Sequence, residues 1–151
     1  MRQTNSDIFK IRNAKITDSL SISNLLNELG YPISNDLLVG NLSSSFSDTR
    51  QCIIICENEL SIVGIIQVVP NLFIGSSKSA EIACLVISKN FHRMGIGKTL
   101  INEAVKFCAD RYDTLFVRSA TKRLEAHQFY EKMNFAFKKS QNVYVLQKGL
   151  A

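Results

Sequence analysis

No stretch of this 151-residue sequence stays apolar for long enough to cross a bilayer, and the N-terminal Met-Arg-Gln-Thr-Asn-Ser-Asp leads into no long apolar segment. A soluble cytoplasmic protein with no membrane partner is therefore expected. Cysteine is scarce, at positions 52, 56, 84 and 108. Cys52 and Cys56 are spaced like half of a zinc site, but they flank an apolar Ile-Ile-Ile run and no second pair follows, so no metal is expected. Basic runs are missing too. Eighteen Lys and Arg outweigh thirteen Asp and Glu for a net charge of +5, yet they gather only into pairs such as Lys122-Arg123 and Lys138-Lys139. That scatter favours a solvated basic surface over a nucleic-acid face and leaves a surplus for an anionic cofactor. Repeats, linkers and low-complexity segments are absent as well. With 46% hydrophobic residues, the chain has the makings of one domain, 1–151, whose core needs no disulfide or metal staple.

What is present reads as alternating elements. Ile8–Arg12 alternates as a half-buried strand, and Thr17-Asp18 offers an N-cap. Ile22, Leu25, Leu26 and Leu29 mark the buried face of a helix closed by Gly30 and Pro32, and a second helix is expected over residues 35–46. The β-branched segments 52–56 and 62–69 predict an antiparallel hairpin, with Gly64 marking a bulge, and residues 80–87 predict the next strand. A helix from Gly97 to about Tyr112, a strand at 115–117, a helix at 122–133 and a closing strand pair at 135–137 and 143–146 complete the order β-α-α-β-β-β-α-β-α-β-β. This is an α/β fold with a central, twisted, mostly antiparallel mixed sheet flanked by helices.

The chain's most informative stretch joins the strand 80–87 to the helix after it, through His92-Arg-Met-Gly-Ile-Gly97. Two close glycines let the backbone approach a ligand, and a helix beginning there aims its unpaired amides and positive dipole end at an anion. Spacing excludes two phosphate motifs. Gly97-Lys98-Thr99 supplies the tail of a P-loop, but its leading glycine would fall on His92. A dinucleotide fingerprint would need glycine at position 100, which is Leu100.

Three blocks remain together: Ala80-Glu-Ile-Ala-Cys-Leu-Val-Ile87, the glycine turn, and Ala126-His-Gln-Phe-Tyr-Glu-Lys-Met-Asn-Phe135. In this order the chain resembles the GNAT superfamily of acetyl-coenzyme A dependent N-acetyltransferases over about residues 8–147. The last block is similar to that family's Ala-x-x-x-Tyr-Glu-Lys-x-Gly-Phe signature, and Ile11-Arg-Asn-Ala14 with Asp18 to its first strand and helix. Three positions depart from the pattern: His92 for Gln or Arg, Asn134 for Gly, and Arg123 where many members carry Asn. None removes a backbone amide from the turn, and Asn tolerates the left-handed conformation required of a helix-ending glycine.

The resemblance implies acetyl-coenzyme A as co-substrate, without a metal, and direct attack by a primary amine of a small molecule, peptide or protein. It implies cofactor contacts at Leu85, Val86 and Ile87, a pyrophosphate cradle at His92, Arg93, Met94, Gly95, Ile96, Gly97 and Lys98, and Arg123 near the pantetheine arm. Tyr130 fits the general acid that protonates the departing thiolate. Glu81, the only charge in its strand and fourteen positions before Gly95, fits a general base acting through water. His127 shares a helix face with Arg123 and Tyr130 and reads equally as a structural histidine, outside the catalytic pair. The two N-terminal helices, the loop 71–79 and the segment 140–143 are where the acceptor would be chosen. Members of this family often pair through sheet edges or terminal strands, so a homodimer is an implied partner. The alternatives from other classes are a non-catalytic acyl-coenzyme A binding or sensor module and a nucleotide-phosphate binding domain.

Overall fold

The computed structural model describes residues 8–149. Its elements are β1 (Lys10–Asn13), a 3-10 turn (Ile16–Asp18), α1 (Ser19–Glu28), α2 (Asn35–Phe46), β2 (Cys52–Glu57), β3 (Ile62–Asn71) and β4 (Ser79–Ile87). A second 3-10 turn (Lys89–Phe91), α3 (Ile96–Cys108), β5 (Thr114–Val117) and α4 (Leu124–Lys132) follow. The expected order holds through α4. Three readings need correction. The first strand begins at Lys10 rather than Ile8. The long helix stops at Cys108, because the amides of Arg111 and Tyr112 both fold back onto the Cys108 carbonyl and the Tyr112 hydroxyl donates to the Arg50 carbonyl. The closing strand pair is not formed: residues 135–137 and 143–146 carry no strand. Val143, Tyr144, Val145 and Leu146 are 76–88% exposed, and β-propensity without a partner to complete the ladder does not make a strand.

The chain divides after Arg118 into two compact units. The first carries a five-stranded sheet in the order β1-β2-β3-β4-β5. The first three pairings are antiparallel and β4–β5 is parallel, the mixed, mostly antiparallel α/β arrangement expected. Alternate side chains of each strand point to opposite faces. Ile53, Ile55, Ile62 and Ile65 meet Ile22, Leu25, Leu38 and Leu42 of α1 and α2. On α3, Ile96, Leu100, Ile101, Ala104 and Cys108 are buried, and the helix packs on β2, β3, β4 and β5. Ile22, Ile55, Ile66, Leu100 and Ile101 are sealed from solvent, each contributing about 1.5–3 kcal/mol of burial.

Two local devices fix the sheet's shape. Arg12 on β1 donates to both Asp18 oxygens (2.8 and 2.9 Å) and both Glu57 oxygens (2.8 and 2.9 Å), pinning the sheet edge to β2 and to the start of α1. Asp18 thus stands before α1 without capping it; its carboxylate goes to Arg12 and the Lys15 amide. The bulge expected at Gly64 is present beside it: Cys56 faces Gly64 but Glu57 faces Ile62, which leaves Val63 as the extra residue.

The second unit holds α4. His127 Nε2 bonds the Ala120 carbonyl at 2.9 Å, fastening the helix to the loop before it, as a structural histidine does. At the other end Asn134 adopts φ 67°, and the amides of Asn134 and Phe135 close on the carbonyls of Glu131 and Tyr130. This is the left-handed helix stop for which glycine is usual and asparagine suffices.

Candidate active site

The strand β4 changes character half-way along. From Ser79 to Ile82 it is paired on both sides, with β3 and with Thr114–Val117 of β5. Pairing with β5 ends at Ile82, and at the same point the register with β3 slips: Gln67 faces Cys84 but Val68 faces Ile82. Ala83 is therefore an unpaired bulge residue, exposed in the middle of an otherwise apolar strand. Beyond it, residues 84–87 pair with β3 alone among the described residues, which leaves their other backbone edge bare of any strand.

The direction of each peptide on that edge follows from one hydrogen bond. The Ser88 amide donates to the Val63 carbonyl of β3 at 2.8 Å, and in an antiparallel pair alternate residues face the same neighbour. Val86 thus turns its backbone groups toward β3, while Leu85 and Ile87 turn theirs toward the bare edge. Of the three residues expected to meet the cofactor, Leu85 and Ile87 offer backbone groups and Val86 supports them from the core beneath α1. The Ile87 carbonyl already has a partner, since His92 Nε2 donates to it at 3.0 Å. His92 was expected to lend charge to a phosphate; its ring is instead turned back on the strand it follows.

The glycine turn comes next. Gly95 has φ +82° and Arg93 φ +62°, so two left-handed residues flank Met94. Such curling turns successive amides inward as an anion-binding concavity, and a non-glycine residue in that region is a strained one of the kind found at ligand sites. The Thr99 amide makes the first helical bond, to the Gly95 carbonyl at 3.0 Å. The amides of Ile96, Gly97 and Lys98 precede it and head the helix at its positive end. Gly64 sets how close that helix end comes to the sheet. A Cβ there would lie 3.0 Å from Ile96 Cγ2 and 3.2 Å from both Ile87 Cδ1 and Leu100 Cδ1, so any larger residue must push these side chains aside by a few tenths of an ångström for α3 to sit at this depth.

At the paired end of β4, Glu81 is held by Arg118 just past β5, with Nε to Oε1 at 3.1 Å and Nη2 to Oε2 at 3.2 Å. The carboxylate is largely covered and its charge is balanced by a guanidinium that remains half exposed. Sequence reasoning missed Arg118 and Ala83: the first is a contact over 37 positions, the second a register slip that no spacing reveals. Cys84, next to the bulge, has its thiol pushed up to about 11 by burial, and Cys56 and Cys52 are likewise raised to about 11 and about 12. Such thiols stay protonated and make poor nucleophiles or metal ligands. Among the described residues, no three His, Cys, Asp or Glu gather as a metal site requires, and no helix is long and apolar enough to cross a membrane.

In the second unit, Tyr130 packs edge-on between Phe129 and Phe135, with ring centroids 5.4 and 5.7 Å away, on the half-buried stripe it shares with Ala126 and Met133. Arg123 stands exposed at the N-cap of α4.

The acetyltransferase (GNAT) family pattern matches residues 20–135, which takes in both helices, the bare edge, the turn and Tyr130. The chain belongs to the GNAT acetyltransferase family. Solved structures agree with this acetyltransferase in fold. Glucosamine-6-phosphate N-acetyltransferase from Arabidopsis thaliana superposes with a TM-score of 0.79 at 20% identity, over 92% of this chain and 99% of the other. The aminoglycoside acetyltransferase meta-AAC0020 from an uncultured soil metagenomic sample, solved with trehalose, gives 0.78 at 20% identity over 94% and 98%. AAC(6')-Iy, solved with the bisubstrate analog CoA-S-monomethyl-acetylneamine, gives 0.81 at 12% identity over 93% and 99%. No curated protein matches the sequence. The residues present fit the family's co-substrate: a left-handed glycine opening a helix, first-turn amides ahead of the first helical bond, and a strand edge with backbone groups to spare.

Proposed function

We propose that this acetyltransferase, acting as one domain over residues 1–151, transfers the acetyl group of acetyl-coenzyme A to a primary amine by direct attack. The observation that carries the reading is the bare half of β4 ending in the turn Arg93–Lys98, a backbone edge followed by an anion cradle. Bound there, acetyl-coenzyme A supplies the activated acetyl group. Leu85 and Ile87 bind the pantetheine arm through backbone amides, and a backbone amide at this edge polarises the carbonyl under attack. Amides from Arg93 to Lys98 hold the pyrophosphate, helped by the exposed side chains of Arg93 and Lys98. Glu81 accepts the amine's proton through water, with Arg118 fixing the carboxylate's direction. Tyr130 gives the hydroxyl proton to the departing sulfur. The raised thiol of Cys84 supports direct attack over an acyl-cysteine route. The helices α1 and α2 and the loop 71–79 choose the amine, and the setting is that of a cytoplasmic enzyme.

Two measurements test this. Acetyl-coenzyme A raises the melting temperature and ATP does not, since a ligand of the native state alone stabilises it; the reverse result returns the turn to nucleotide binding. Against a panel of amines, Tyr130→Phe lowers kcat by about 100-fold or more with KM for acetyl-coenzyme A unchanged. Full activity in that variant removes Tyr130 as the acid, and tight acetyl-coenzyme A binding with no amine acetylated favours a sensor.

A further inference from the structure

Glu28 is placed against its helix. As the last residue of α1 it puts a carboxylate at the negative end of the helix dipole, where a cation is the favourable choice. The helix end itself is well closed without it: Gly30 takes φ +83°, its amide bonds the Asn27 carbonyl and the Tyr31 amide bonds the Leu26 carbonyl. The carboxylate is used elsewhere. Glu28 Oε1 accepts the Ser88 hydroxyl at 2.9 Å and the Lys89 amide at 3.0 Å, and Oε2 lies 3.2 Å from the same hydroxyl, across 60 positions of sequence. Ser88 is buried, and its own amide is taken by the bulged Val63 of β3. The Lys89 amide opens the 3-10 turn Lys89–Phe91, so Glu28 caps that turn from a distant helix.

We infer that Glu28 is a positioning residue that locks the end of α1 to the entrance of the cofactor turn, so that binding at the turn orders the helix that faces the acceptor. The inference rests on the reading of Arg93–Lys98 as the coenzyme A cradle. The mechanical reason is the short path. Ser88 and Lys89 precede His92 by only a few residues, and His92 is tied back to Ile87, so the segment 87–92 is held at both ends and by Glu28 in between. A shift of the turn toward a bound pyrophosphate is carried to Glu28 through two hydrogen bonds to a charged acceptor, which are stronger than neutral ones.

Hydrogen–deuterium exchange of the full chain with and without acetyl-coenzyme A, together with kinetics, tests it. In the wild type, acetyl-coenzyme A slows exchange both at residues 88–98 and at residues 25–31. In Glu28→Ala the slowing at 88–98 persists, the slowing at 25–31 is lost, and KM for acetyl-coenzyme A rises about 10-fold. Glu28→Gln keeps an oxygen for both donors and stays within about 3-fold of wild type. Ser88→Ala removes one donor at small cost in volume and gives an intermediate result, which keeps the test sharp should Glu28→Ala fold poorly. Slowing at 25–31 that survives both substitutions overturns the clasp. Slowing confined to 88–98 in the wild type also overturns it while leaving the coenzyme A cradle intact. No slowing at 88–98 in the wild type defeats the cradle and the clasp together.

Discussion

The two halves of β4 differ in residues and in pairing, and the difference runs against what composition alone suggests. Ser79–Ile82 is flanked by β3 and β5, and its Ala80 and Ile82 are 0% and 4% exposed. Ala83–Ile87 is the more apolar half, with no counterpart to Ser79 or Glu81, yet it is half-buried or exposed, bulged at its start and, among the described residues, paired with β3 alone. Apolar composition therefore does not decide which half is covered. The difference is in pairing: where β5 stops, the outward backbone groups of β4 lose their strand partner. At the opposite edge of the sheet, β1 is tied by side chains instead, with Arg12 bonded to Glu57 of β2 and to Asp18.

The comparison breaks if substitutions in the two halves act alike. The largest effect is expected in the paired half. Ile82→Ala opens a cavity between two neighbours and costs about 2–5 kcal/mol in denaturant unfolding, with acetyl-coenzyme A affinity of the folded protein unchanged. A loss of affinity without a loss of stability would merge the halves. In the open half, Leu85→Pro removes an amide from the bare edge, which strands tolerate where no ladder bond is lost. It raises the acetyl-coenzyme A dissociation constant about 10-fold, a difference of about 1.4 kcal/mol by titration calorimetry, with a smaller change in stability. Equal destabilisation by Leu85→Pro and Val86→Pro would show that Leu85 does not face outward.

The smallest effect concerns the Arg12 cluster at that edge and depends on pH. Hydrogen bonds from Arg12 hold the Asp18 and Glu57 carboxyls below their ordinary values of 3.8 and 4.5. Lowered carboxylates bind fewer protons in the folded state, so they stabilise it above their unfolded values, and that contribution disappears as pH falls through the lowered folded values. Melting temperature should drop more steeply below about pH 4 in the wild type than in Arg12→Ala, which is itself less stable near neutrality by about 1–2 kcal/mol. Parallel acid profiles would mean that the cluster is only a surface pairing.

Much of this was legible in the residues. The turn could be read because its parts are local: two glycines, a basic flank and a helical stripe within a dozen positions. Asn134 could be foreseen as a helix stop for the same reason. Arg118 against Glu81, Glu28 against Ser88 and the bulge at Ala83 could not, since each depends on which strands meet and in what register. The C-terminal segment shows the reverse failure. Val143-Tyr-Val-Leu146 has the composition of a strand, but a strand is a shared ladder of hydrogen bonds, and composition cannot supply the partner. His92 lies between the two cases. Its identity ruled out a P-loop from spacing alone, but only the folded chain turns its ring onto Ile87.

By itself, then, the sequence determined the family, the order of elements through α4 and the glycine turn, because local periodicity and short-range backbone preference are written in neighbouring residues. The tertiary structure decided which half of β4 lies open, which side chains hold Glu81 and Ser88, and how closely α3 approaches the sheet at Gly64. Those are matters of register and of contacts between positions far apart in the chain.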